Sequence, residues 1–113
     1  MNSNETREIE QGAWLPFFDL ISSSLRGKAA DITIANPSEQ VHQSRCWELH
    51  GVTYDPHDRA LIVSCRNQEH VISSPISIRV EQSGQTVLSV EVTKGRGERE
   101  IIRFIEPLLL PAA

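Results

Sequence analysis

At Gly27-Lys28 the apolar spacing of the chain changes from a period of 3.6 to a period of 2. Before that point, Trp14, Phe17, Phe18, Ile21 and Leu25 recur at i, i+3, i+4, i+7 and i+11. That is the stripe of an amphipathic helix. Pro16 falls in its first turn, where a missing N–H removes no helix bond. Gly27 suits a left-handed C-cap. Beyond Lys28 apolar and polar residues alternate, and the connections are short. One helix followed by closely spaced strands predicts an α+β fold with antiparallel neighbours rather than βαβ crossovers.

The strands are read from alternation and turn residues. Residues 30–34 form a short strand. Residues 36–40 form a loop that extends through Gln43, because 41–44 has no apolar pattern. Residues 45–53 are one extended stretch, with Trp47 and Leu49 on one side and Cys46, Glu48 and His50 on the other. The parity shifts after Gly51, which marks a β-bulge. Asp55-Pro56-His57-Asp58 supplies a turn: proline pre-sets φ at its second position and Asp55 accepts from backbone N–H groups. A four-residue loop there pairs Tyr54 with Arg59 and sets Cys46 diagonal to Cys65, whereas a two-residue loop at Asp55-Pro56 places the two sulfurs directly opposite. Residues 60–65 make a dense apolar strand and 70–72 a short one. Residues 76–81 alternate cleanly and predict a half-buried strand. After a turn at Ser83-Gly84, residues 86–93 direct Leu88, Val90 and Val92 inward. Lys94-Gly95-Arg96-Gly97 is a turn with two solvated charges. Residues 98–105 are the last strand, with Ile102 and Phe104 in the core and Pro107 ending it.

The predicted architecture is an N-terminal helix packed on a strongly curled antiparallel sheet of six or seven strands. The strands run as a meander, which partial closure would turn into a small barrel. Residues 1–11 are a flexible polar lead-in, and 12–113 are a single α+β domain.

A chain of 113 residues makes one domain and buries about 65% of its unfolded surface. Eleven basic against 15 acidic residues leave a net charge of −4, which argues against nucleic acid as a partner, since phosphate binding favours a basic excess. The first residues lack an apolar signal region and no apolar run spans a membrane. A cytoplasmic protein with no membrane partner is the expectation.

No catalytic constellation is present. His42, His50, His57 and His70 have no ligand spacing, so neither metal nor cofactor is expected. G-x-S-x-G is absent. Cys46 and Cys65 lie on the two strands of the central hairpin. They are read as reduced, half-buried thiols, with a disulfide as the alternative. A ligand pocket inside the curled sheet would use His50, Tyr54, Asp55 and His70. Leu108, Leu109 and Leu110 form an apolar tail that either folds back or meets a second chain, which favours a homodimer. The leading function is a non-enzymatic binding or regulatory module acting through an unknown protein partner. The alternative is a small ligand-binding domain or enzyme with its pocket inside the sheet; nucleic-acid binding ranks last.

Several features then occur together. Trp14 and Phe17-Phe18 lie in a first helix ending near Gly27. Gly51-Val52-Thr53-Tyr54-Asp55-Pro56 runs into an apolar strand. His70-Val71-Ile72 leads to Pro75 and Ile76-Ser77-Ile78. This order resembles a bacterial family of small uncharacterised proteins, domain of unknown function 5335, from Ala13 to Phe104. The family's pattern has Leu-Gly-Ile-x-Tyr-Asp at the hairpin; here His50 stands between Leu49 and Gly51. The resemblance implies a bacterial, cytoplasmic, single-domain protein and assigns no activity and no site residue.

Overall fold

In the computed structural model, residues 4–36, 38, 41–66 and 68–109 are described. Helix α1 spans Trp14–Leu25, and its buried residues are Trp14, Phe17, Phe18, Ile21 and Leu25, the five members of the predicted stripe. Gly27 follows with φ +85°, the left-handed region in which glycine is unstrained.

Among the described residues nine strands accompany it: β1 Asn4–Ile9, β2 Ala30–Ala35, β3 Val41–Cys46, β4 Leu49–Asp55, β5 Ala60–Cys65, β6 Gln68–Ser73, β7 Ser77–Ser83, β8 Thr86–Thr93 and β9 Arg99–Leu109. All pair antiparallel. Six form one sheet in the order β1-β7-β8-β9-β2-β3, and three form another in the order β4-β5-β6. The α+β class therefore holds. The single sheet of six or seven strands does not, and among the described residues no barrel closes. The additional strands are β1, where a polar lead-in is predicted, and β3, where a loop is predicted. Each is exposed at five of its six positions. They are edge strands held by ladder hydrogen bonds, so neither shows apolar alternation.

The chain changes sheets at Trp47-Glu48, which form a bend. Cys46 ends β3 opposite Ala30 in the large sheet, and Leu49 begins β4 opposite Cys65 in the small one. The continuous stretch predicted over 45–53 is broken here. Trp47 consequently turns outward, 73% exposed, while Leu49 is fully buried.

Helix α1 lies along the open side of β4. Ser22 Oγ donates to the Val52 carbonyl at 2.9 Å and accepts from the Val52 N–H at 3.3 Å. The Gly27 N–H donates to the Leu49 carbonyl, and the Leu49 N–H to the Lys28 carbonyl, both at 2.7 Å. The helix thus covers an edge that would otherwise carry unpaired backbone groups. Trp14 Nε1 donates to the Ile9 carbonyl at 2.8 Å, and its ring stands edge-on to Tyr54 with centroids 5.1 Å apart. Buried residues of the helix and both sheets form one core.

Register follows the parity breaks. The β4–β5 ladder shifts between Leu49 and Gly51, the predicted bulge, and His50 is the extra residue. The hairpin closes on Asp55 opposite Ala60, so its loop is 56–59, and Tyr54 faces Leu61 rather than Arg59. The ladders on both sides of β8 shift at Leu88. Val87 is fully buried there in place of Leu88, together with Val90 and Val92. Strand β9 continues past Pro107 because Val87 and Thr86 pair with Leu108 and Leu109.

Cys46 and Cys65 form a disulfide with Cα atoms 5.8 Å apart, which corrects the reading of two reduced thiols. The cysteines do not face each other across the hairpin, because Cys46 belongs to the other sheet. The bond ties the end of β3 to the end of β5 and encloses the β4–β5 hairpin. Closing a loop of that size in the unfolded chain is worth about 3 kcal/mol.

Candidate functional site

The four residues proposed for a pocket do not converge. His50, on the bulge, is exposed with Nε2 3.2 Å from Glu48 Oε2. Tyr54 is buried against Trp14. Asp55 Oδ1 accepts from the backbone N–H groups of His57 at 2.9 Å and Asp58 at 3.3 Å, so its carboxylate holds the turn. Only His70 meets another ionisable side chain in the interior. The space between the inward rows of the small sheet is filled by Leu61, Val63 and Ile72, all fully buried.

His70 leads to a cluster that sequence reading missed. Its Nε2 lies 2.5 Å from Oε1 of Glu100, a carboxylate only 2% exposed. Lys94 Nζ donates to Glu100 Oε2 at 3.0 Å and approaches Glu98 Oε1 at 2.9 Å. Burial would raise the Glu100 pKa, but the hydrogen bonds from His70 and Lys94 outweigh it and hold the carboxyl below its ordinary value. Burial would lower that of Lys94, but its bonds to Glu98 and Glu100 hold the ammonium above its ordinary value. Lys94 is thus an internal counter-ion, not the solvated charge predicted. Since His70 is on β6 and Glu100 on β9, the cluster joins the two sheets. Glu100 shares the parity of Ile102 and Phe104, and that signal could have located it.

A concavity of about 440 Å³ lies where the chain changes sheets. It is lined by Arg45, Cys46, Trp47, Glu48, Cys65, Arg66 and Gln68. The Arg45 guanidinium stacks over the Trp47 ring at 4.9 Å while bonding both carboxylate oxygens of Asp31, at 2.6 and 3.1 Å. That bonding holds the Asp31 carboxyl below its usual value. Arg66 is less engaged: its side chain is 72% exposed and 3.9 Å from Glu48. Trp47→Ala removes no core packing and is expected to change stability by less than about 0.5 kcal/mol, measured by urea unfolding.

A second cleft, of about 370 Å³, lies on the outer face of the large sheet among Arg79, Glu81, Glu91, Arg99 and Arg103. Within it Arg99 pairs with Glu91 at 3.3 Å, and Glu81 accepts a hydrogen bond from Ser89 at 3.2 Å. Among the described residues no group of three or more His, Cys, Asp or Glu could hold a metal ion. Leu108 is fully buried and Leu109 is 66% exposed, so Leu108 cannot serve an interface. Leu110 lies outside the described residues.

A helix and a three-stranded sheet covering a six-stranded sheet, with a filled interior and a groove at the seam, define a small α+β module. The chain belongs to the family of unknown function DUF5335, whose model matches residues 5–113. This is the family that the hairpin and the His70–Ile78 region resemble. The chain is also similar to an uncharacterized protein of Aquifex aeolicus (strain VF5), 28% identical over 109 residues covering 94% of this chain and 97% of that protein. No solved structure matches the chain. Among the described residues no helix is long and apolar enough to cross a membrane.

Proposed function

We propose that the protein is a small non-enzymatic binding module that works in the cytoplasm through protein contacts, using the seam at Trp47. The observation that carries this reading is Trp47 itself, the largest side-chain type, 73% exposed beside an open groove. It adjoins β3, which among the described residues is a terminal strand of the large sheet, paired on its β2 side, and its other side suits another chain's backbone. Val41, 57% exposed, adds apolar surface along the same edge. The occupant is an extended segment of a partner protein that adds a strand beside β3. An apolar residue of that segment meets Trp47 and an acidic one meets Arg66. The filled interior around Tyr54 and His70 lends no support to a pocket within the small sheet.

Selection of random extended peptides on the folded chain tests this reading. Enriched peptides should pair acidic with apolar residues and bind with Kd on the order of micromolar. Trp47→Ala should weaken them about tenfold or more. Enrichment of no sequence, or binding indifferent to Trp47, contradicts the reading. The exposure of Leu109 supports a second contact, between two copies of the chain, and light scattering on Leu109→Glu tests it: a dimer mass that falls to the monomer supports it, and an unchanged monomer mass removes it.

A further inference from the structure

We propose that the Cys46–Cys65 disulfide is a thiol-exchange site that accepts electrons from a small anionic thiol seated in the seam groove. This goes beyond the binding reading and does not depend on it. Both cysteines are the last residues of their strands, so the bond sits where two ladders end. Both line the open groove rather than a closed cavity. Cys65 is the more accessible, 9% exposed against 1% for Cys46. An arginine adjoins each in sequence, Arg45 before Cys46 and Arg66 after Cys65, and both arginines line the same groove. Of the two, Arg45 is already paired with Asp31, so it is the Arg66 guanidinium, loosely opposed by Glu48 at 3.9 Å, that favours thiolate over thiol and attracts an anionic attacker. The weakly held Arg66 is free to meet an incoming carboxylate, and a groove of about 440 Å³ admits a small thiol.

The exchange proceeds in two displacements. The thiolate of the first small molecule attacks Cys65 Sγ. The Sγ–Sγ bond breaks, a mixed disulfide forms on Cys65, and Cys46 leaves as a thiolate that takes a proton from water. The thiolate of a second small molecule attacks the small molecule's sulfur in that mixed disulfide. Cys65 leaves and is protonated in turn. Two small thiols are oxidised to one disulfide and the protein disulfide is reduced to two thiols, so no further oxidant or reductant is needed.

The test treats the full oxidised chain with increasing reduced glutathione, or with neutral 2-mercaptoethanol. Free thiols are trapped by alkylation and circular dichroism reports the fold. The proposal predicts reduction of the folded chain at a rate linear in thiol concentration. In Cys46→Ser treated with oxidised glutathione, it predicts a mixed disulfide on Cys65, formed as the Cys65 thiolate attacks the glutathione disulfide and releases one glutathione thiolate. In Arg66→Glu, the rate with glutathione relative to the neutral thiol should fall about threefold or more. Reduction at a rate independent of thiol concentration and equal to that of unfolding overturns it, as does a chain whose two thiols stay unpaired in oxidised glutathione. An unchanged rate ratio in Arg66→Glu removes the preference for an anionic thiol. If Cys46→Ser does not fold, the concentration dependence of the native chain still decides.

Discussion

Replacing Trp14 by alanine is expected to destabilise the fold by about 3–5 kcal/mol. The indole is 2% exposed and sits where three elements meet. It belongs to α1, its N–H reaches the β1 carbonyl of Ile9, and its ring abuts Tyr54 of β4. Truncation empties a cavity that a helix, a large-sheet edge and the small sheet cannot close together. Trp14→Phe should cost less, because the ring volume is largely kept, but it leaves the Ile9 carbonyl without its donor and loses about 1–2 kcal/mol. Urea unfolding measures both. A loss below about 1 kcal/mol for Trp14→Ala would show that the helix is not the keystone of the core.

The second large effect comes from Glu100. Removing both His70 and Lys94, as in the His70→Ala/Lys94→Met variant, leaves a carboxylate in the interior without a counter-charge and should cost about 3–5 kcal/mol. Glu100→Gln should cost less, since no unpaired charge is buried. Its acid behaviour supplies a sharper signature. The folded-state pKa of Glu100 lies below its ordinary value. The corresponding stability is therefore fully present above the ordinary carboxylate range and is lost as pH falls through the lower folded value. Native stability should decline on acidification below about pH 4, and Glu100→Gln should decline less steeply over the same window. Equal slopes in thermal melts of the two proteins would show that the carboxylate does not tie the two sheets together.

The parts of the fold legible in the sequence are those whose residues must satisfy local chemistry and burial at once. The Trp14–Leu25 stripe, the Gly27 cap, the Asp55-Pro56 turn and the Gly51 parity break each combine both demands. Strands β1 and β3 could not be read in this way. Both are exposed on both faces, and ladder pairing leaves no trace in hydropathy. Nor could the sheet change at Trp47-Glu48, because Cys46-Trp47-Glu48-Leu49 alternates as a continuous strand would. That break decided the candidate site. It put Trp47 outside, separated Cys46 from the hairpin and brought it to Cys65 from another sheet. Glu100 was within reach of the pattern, being on the inward parity of β9, but its partners came from β6 and from the β8–β9 turn. His50, Tyr54 and Asp55 form a polar cluster in the sequence, yet each serves local structure: His50 the bulge, Tyr54 the core packing and Asp55 the turn.

The most direct test of the seam as the contact surface is amide chemical-shift mapping of the folded chain with a peptide selected for binding to it. The expected shifts run along Val41–Cys46 and include the Trp47 indole N–H and the Arg66 amide. Shifts confined to the outer face of the large sheet, around Arg79, Arg99 and Arg103, would contradict it.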